Sequence, residues 1–264
     1  MECGPLVAIY TRMYQDVLGL QKPWHIADIK IEPHDKTEVI LVDFDKGARF
    51  DCPKCGTTQC KTHDSHPERK RHLDFHGFHC CIHARVPRIK CPNCKSVVTV
   101  DVPWGRRYSG FTYEYEMMVL SFASAMAISK VGNLINENFD RVFRIVSFYV
   151  NEWVSNSDHS QVCSIATDET SCRRGHKYIT VVIDLNKRRV IFATPGKDHT
   201  TIDRFKQFLE EHDGDPANIT EGCCDMSPSF IKGLNENFPN ISIIFDKFHV
   251  MKMMNEALKN KGTP

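Results

Sequence analysis

The chain has 264 residues, with 34 Lys and Arg against 33 Asp and Glu, for a formal net charge of +1. A composition 41% hydrophobic and 25% charged excludes a wholly disordered or collagen-like chain, and the length suffices for about two domains with cores of their own. The most apolar run, Met117–Ile128, has 12 residues where a membrane helix needs about 20, so no membrane partner is expected.

The stretch Pro5–Tyr10 is too short for a signal sequence, and a cytoplasmic protein with reduced thiols is expected. In that setting clustered cysteines bind metal more often than they pair. The near-neutral balance averages unequal parts. Residues 1–45, an N-terminal β-containing segment, carry −4, residues 46–111 carry +8, residues 112–162 carry −3 and residues 163–264 carry zero.

The basic block holds two knuckles, Cys52-Pro-Lys-Cys55-Gly and Cys91-Pro-Asn-Cys94-Lys, with 35 residues between them. Two residues between paired cysteines let one tight turn present both sulfurs, and four thiolates satisfy tetrahedral zinc. A closed four-cysteine site has no open position, so the zinc is expected to be structural, and residues 46–111 read as a zinc-ribbon DNA-binding domain. Four thiolates on one zinc carry −2, which lowers the block's charge to about +6. Arg69, Lys70 and Arg71, with Arg85, Arg88, Lys90 and Lys95, are expected to contact phosphate, unless they only form a solvated basic face. Cys60, His63, His66, His72, His76, His79, Cys80, Cys81 and His83 lie between the knuckles in a spacing that fits no single metal template. The alternation around Phe78–Val86 predicts a strand.

Residues 112–158 read as helical. Tyr115, Met118, Phe122 and Met126 follow helical spacing, Val131, Leu134 and Ile135 mark a second short helix, and Asn138 caps a third that buries Val142, Ile145, Val146 and Tyr149. A short helix, a tight turn and a longer helix match a helix-turn-helix with Arg141 and Arg144 facing outward, or else a small helical linker.

From residue 159 the pattern is mixed α/β. Strands are expected at Val162–Asp168, Lys177–Leu185, Arg189–Thr194, Ile219–Cys224 and Ile241–Phe245. Helices are expected at Thr200–His212, after Ser227-Pro228, and from about His249 to Lys259. Three strands, a helix, a strand, a helix and a strand resemble the RNase H-like order. In that order the strands ending at Asp168 and Asp225 are neighbours, and paired carboxylates suit magnesium, although strand-end aspartates also serve as caps.

The succession of zinc ribbon, helix-turn-helix, Ile165-Ala-Thr-Asp168-Glu169-Thr-Ser, Arg174-Gly175-His176-Lys177-Tyr178, Cys224-Asp225-Met226-Ser227-Pro228 and Phe245-Asp246-Lys-Phe248-His249-Val250 resembles the insertion-sequence transposases of the ISL-three family, from about Tyr10 to Leu258. The resemblance implies an α+β multidomain protein whose RNase H-like DDE core, over residues 159–264, is incomplete. It implies that Asp168 and Asp225 are the first two catalytic aspartates, ligating magnesium or manganese for attack by water and then by a 3′-hydroxyl on DNA. Glu169, Asp246 and His249 match motif positions without a defined role, Asp246 being either a supporting carboxylate or the cap of the last helix. The implied partner is double-stranded DNA at the element's terminal inverted repeats, bound by a homo-oligomer in a prokaryotic, nucleoid-associated setting. The family's third acid, a Glu, lies on a later helix. Glu256 follows the fifth strand too closely to replace it, so a truncated, catalytically impaired form is expected. A non-catalytic repressor of element ends is the alternative.

Overall fold

A computed structural model of the chain describes residues 5–173 and 177–261. It comprises two compact units, one up to Ser147 and the other from Phe148. Arg174, Gly175 and His176, quoted above for the resemblance, and residues 262–264 of the tail lie outside the described residues.

The first unit begins with helix α1 (Pro5–Val17) and strands β1 (Trp24–Glu32), β2 (Thr37–Phe44) and β3 (Arg49–Phe50). Strands β4 (Cys60–Arg71), β5 (His79–Lys90) and β6 (Val97–Thr99) complete one six-stranded sheet, ordered β1-β2-β5-β4-β3 with β6 on β5. Strand β2 alternates between half-buried and buried residues, which places Ile40, Val42 and Phe44 in the core. Between β4 and β5, His76 and Gly77 take φ of +51° and +78°, the two left-handed residues of a two-residue hairpin turn.

The expected boundary at 45/46 separates no folding units. Strand β2 pairs in parallel with β5 from Thr37↔His79 to Val42↔Ala84, and a single core joins Tyr14, Trp24 and Ile40 to Cys52, Cys91 and Trp104. Glu38 turns inward from β2 and is buried, accepting the Tyr14 hydroxyl.

Helices α2 (Tyr113–Ala125), α3 (Ile128–Leu134) and α4 (Phe139–Ser155) follow, and α4 runs from the first unit into the second. Asn138 caps α4 as expected, its side chain accepting the Asp140 amide at 2.7 Å. Val142 and Ile145 are buried, whereas Val146 and Tyr149 are only half-buried. The turn from α3 to α4 needs Gly132, where a Cβ would lie 2.9 Å from the Glu137 carbonyl oxygen.

The second unit contains β7 (Ser164–Arg173), β8 (Lys177–Asp184), β9 (Arg189–Pro195), α5 (Thr200–Glu211), β10 (Glu221–Cys224), α6 (Pro228–Asn237), β11 (Ser242–Phe245) and α7 (Lys247–Lys261). Its sheet runs β11-β10-β7-β8-β9, with the first three chain-order strands antiparallel and β10 parallel to both β7 and β11. This is the RNase H-like order. Ile202, Phe205 and Leu209 of α5 and Phe230 and Leu234 of α6 are buried, each contributing about 1.5–3 kcal/mol. The two helices approach closely at Gly233, where a Cβ would meet that of Ile202 at 2.9 Å.

His159 is buried in this unit with Nε2 3.0 Å from the Ser157 hydroxyl. Burial first, then the Arg189 and His212 charges, push its pKa below the ordinary 6.5. The unfolded chain therefore takes up a proton that the folded chain refuses, and this contribution to stability is full above about pH 6.5 and lost as pH falls below it. Thermal midpoints measured from pH 7.5 to 5.5 are expected to fall less for His159→Asn than for the unsubstituted protein.

Candidate functional site

Cys52, Cys55, Cys91 and Cys94 converge, with all four sulfurs within 4.8 Å of one another. Cys52 and Cys94 are 4.0 Å apart and Cys55 and Cys91 3.7 Å. Zinc–sulfur bonds of about 2.3 Å in a tetrahedron place sulfurs ~3.8 Å apart, so the cluster has the dimensions of a structural zinc site. Hydrogen bonds from Thr57 lower the Cys55 thiol to about 5, whereas its sulfur neighbours, Cys55 first, push Cys94 up to about 12. A divalent cation relieves that crowding of negative charge. Among the described residues no other group of three His, Cys, Asp or Glu side chains gathers closely enough to hold a metal ion.

The basic block is less available to phosphate than its +8 suggests. Lys70 is 1% exposed, with Nζ donating to the carbonyls of Arg106 at 2.9 Å and Ser109 at 2.6 Å and pairing with Glu68 at 2.6 Å. Arg71 is also buried, donating to the His72 and Cys80 carbonyls and pairing with Asp74. These two residues of the expected phosphate-binding triplet hold the interior together, because β4 turns them toward backbone carbonyls rather than solvent. Arg85 pairs with Asp43 at 2.8 Å and Arg88 with Asp64 through two nitrogens. Arg69 remains exposed, with one guanidinium nitrogen 3.3 Å from the Cys81 sulfur, and Lys90 and Lys95 are exposed.

On α4, Arg141 is half-buried. Its guanidinium pairs with Glu137 at 2.6 Å and lies 4.4 Å from the centre of the Phe111 ring. Arg144 is exposed, with Nε donating to the Asp140 carbonyl at 3.2 Å. Arg144 thus presents its charge to solvent more fully than Arg141.

Asp168 lies within β7 rather than at its end, because β7 continues against β8 with Asp168 opposite Val181. Pairing with β10 stops earlier, running from Ser164↔Glu221 to Ala166↔Cys223. Asp168 lies two residues beyond the last pair on β7, and Asp225 directly follows the end of β10, so both carboxylates leave the same edge of neighbouring parallel strands. Asp168 Oδ1 accepts the Glu169 amide at 2.8 Å, and Asp225 Oδ1 the Ser227 amide at 3.0 Å. The donors are hard oxygens, partly exposed and on adjacent strands, which fits a divalent magnesium or manganese ion.

Asp246 is level with Asp225 on the other side, since Cys224 pairs with Phe245. Both of its oxygens are engaged, one by the Phe248 amide at 3.0 Å and the other by His249 Nδ1 at 2.9 Å. These bonds, the amide first, hold its carboxyl below the usual carboxylate range. Asp246 therefore caps α7 with the help of His249. The sequence pattern Asp246-Lys-Phe-His249 carried that signal. Glu256 is exposed on α7.

Sequence reasoning passed over Tyr108, which stands at the rim of a cleft beside the first knuckle. The two Arg residues before it offered a signal, but its exposure depends on contacts distant in sequence.

Comparison with known proteins agrees with this layout. Residues 165–261 match the family described as "Transposase", the DDE domain of ISL3 elements, and residues 48–94 match "zinc-finger of transposase IS204/IS1001/IS1096/IS1165"; together they take in more than half of the chain. The chain is 28% identical over 253 residues to the transposase for insertion sequence element IS1557 of Mycobacterium tuberculosis, covering 94% of this chain and 56% of that protein. It is 24% identical over 200 residues to the transposase for IS1001 of Bordetella parapertussis, covering 76% of this chain and 49% of that protein. The chain thus spans about half the length of the curated relatives it matches. No helix among the described residues is long and apolar enough to cross a membrane.

Proposed function

Because the chain belongs to the ISL3 family of insertion-sequence transposases, we propose that it binds the DNA ends of an insertion element and carries two of the carboxylates that serve metal-dependent strand cleavage and transfer. The observation that supports this reading is the parallel pairing of β7 with β10, which brings Asp168, just past that pairing, and Asp225, just after β10, to one edge of the sheet. Asp168 and Asp225 would hold magnesium or manganese, which supplies Lewis-acid activation of the attacking water or 3′-hydroxyl and of the leaving oxygen. The Glu169 and Ser227 amides fix one oxygen of each carboxylate, so both side chains are oriented before metal or DNA arrives. Asp246 and His249 secure the start of the helix beside them.

On the DNA side, α2, α3 and α4 act as a helix-turn-helix, with Arg144 on phosphate and Arg141 bracing the motif against Phe111. Arg69 adds a contact from the zinc-bearing unit. The duplex recognised is the terminal inverted repeat, occupied by a homo-oligomer on chromosomal DNA. A second reading is occupation of element ends without cutting them.

Both readings meet in one experiment. A labelled terminal-repeat duplex is expected to bind the chain in preference to random duplex, with affinity falling as salt rises, and to remain uncut in magnesium. Arg144→Ala is expected to lower the slope of log affinity against log salt by about one. Equal binding to random duplex contradicts the element-end reading, and strand transfer by the chain alone contradicts the two-carboxylate reading.

A further inference from the structure

Tyr108 is 95% exposed, and its backbone has φ of +62°. A bulky residue in the left-handed region stores strain, which persists only where the surroundings over-determine the backbone. Here the support comes from below. The buried Nζ of Lys70 holds the carbonyls of Arg106 and Ser109, on either side of Tyr108. The Ser109 amide closes the turn onto the Arg106 carbonyl at 3.3 Å. The buried carboxylate of Glu116 accepts the Ser109 hydroxyl and, on its other oxygen, Arg106 Nε at 3.0 Å. Gly105 lies so close that a Cβ would come 2.8 Å from Lys70 Cδ. A buried lysine, a buried glutamate and a glycine together fix a loop whose central ring stands in water.

That ring borders a cleft of about 430 Å³ whose lining includes Lys54 of the first knuckle, His66 and Arg107. The acids of the cleft are engaged: Glu68 by Lys70 at 2.6 Å, and Asp101 by Arg107 at 2.8 Å. Lys54 is exposed. An exposed ring beside a lysine suits a nucleobase and its phosphate, since every base offers a π-face to an aromatic side chain and the ammonium meets the backbone charge.

We infer that Tyr108 stacks on a nucleobase of bound DNA, with Lys54 on an adjoining phosphate. The ligand class is duplex DNA with one opened or frayed base step, because a base still stacked within the helix cannot offer its face to the ring. The inference rests on the DNA-binding role proposed above and names a contact within it.

The test uses the full chain and a terminal-repeat duplex, with affinity read by fluorescence anisotropy over a range of salt. Tyr108→Ala is expected to weaken binding about 5- to 150-fold with an unchanged salt slope, and Tyr108→Trp to bind like the unsubstituted protein. Lys54→Ala is expected to lower the slope by about one. Tyr108→Gly relieves the backbone strain, so it is expected to raise the thermal midpoint while weakening binding, a combination that a merely structural role does not give. Unchanged affinity in Tyr108→Ala, or equal loss in Tyr108→Trp, overturns the inference while leaving the DNA-binding role intact. Failure of the unsubstituted protein to bind any duplex overturns both.

Discussion

Withdrawing zinc is expected to unfold the sheet of the first unit. Zinc-finger peptides gain an apparent ~10–16 kcal/mol from structural zinc, more than the stability of a typical domain. Here Cys52 and Cys91 belong to the same buried core as Trp24 and Trp104, whose rings meet edge-on at 4.9 Å. The metal therefore ties both knuckles to the centre of the sheet. Purified protein should contain one zinc per chain. Chelation should remove it and shift tryptophan emission to the red, and Cys91→Ser should do the same without chelator. Because the thiolates must be deprotonated to bind, zinc should also leave as pH falls. An unchanged thermal midpoint after complete loss of zinc would falsify the structural role.

Replacing Lys70 by Met is expected to destabilise the first unit by roughly 3 kcal/mol, the scale of breaking a buried charged pair. The substitution nearly preserves volume, so the loss comes from polar groups left without partners. Two carbonyls, of Arg106 and Ser109, lose their donor, and Glu68 loses its cation. Glu68 keeps some contact with solvent, which moderates its share. Chemical denaturation followed through Trp24 and Trp104 measures the effect. A phosphate-binding lysine on the surface would instead give a change within about 0.5 kcal/mol and lose only DNA affinity. The two outcomes separate a structural strut from a DNA contact at the same residue.

Local signals made much of the fold legible in the sequence. The β-branched run at Lys177–Leu185, the Ser227-Pro228 helix start and the Asn138 cap each sit where local chemistry placed them, because caps and periodicity act over a few residues. The two cysteine knuckles were legible because metal ligation restricts spacing. What stayed hidden depends on long-range pairing. Nothing local to Thr37–Phe44 reveals that it lies parallel to β5 and merges the N-terminal segment with the zinc ribbon. The triplet Arg69-Lys70-Arg71 suggests a phosphate-binding patch, yet the carbonyls that capture Lys70 lie 36 and 39 residues further on. Asp168 was expected at a strand end, but the hairpin with β8 carries β7 past the point where β10 stops pairing. Asp225 directly follows the end of β10.

Asp168 and Asp225 are proposed to form a divalent-metal site serving DNA. The most direct measurement is a manganese titration of the chain bound to a terminal-repeat duplex, followed by electron paramagnetic resonance. Bound manganese is predicted for the unsubstituted protein and lost in Asp168→Asn and in Asp225→Asn. It is predicted to persist in Asp246→Asn, because both Asp246 oxygens already serve the Phe248 amide and His249. Manganese binding that survives both Asp168→Asn and Asp225→Asn would show that these two carboxylates do not hold the ion.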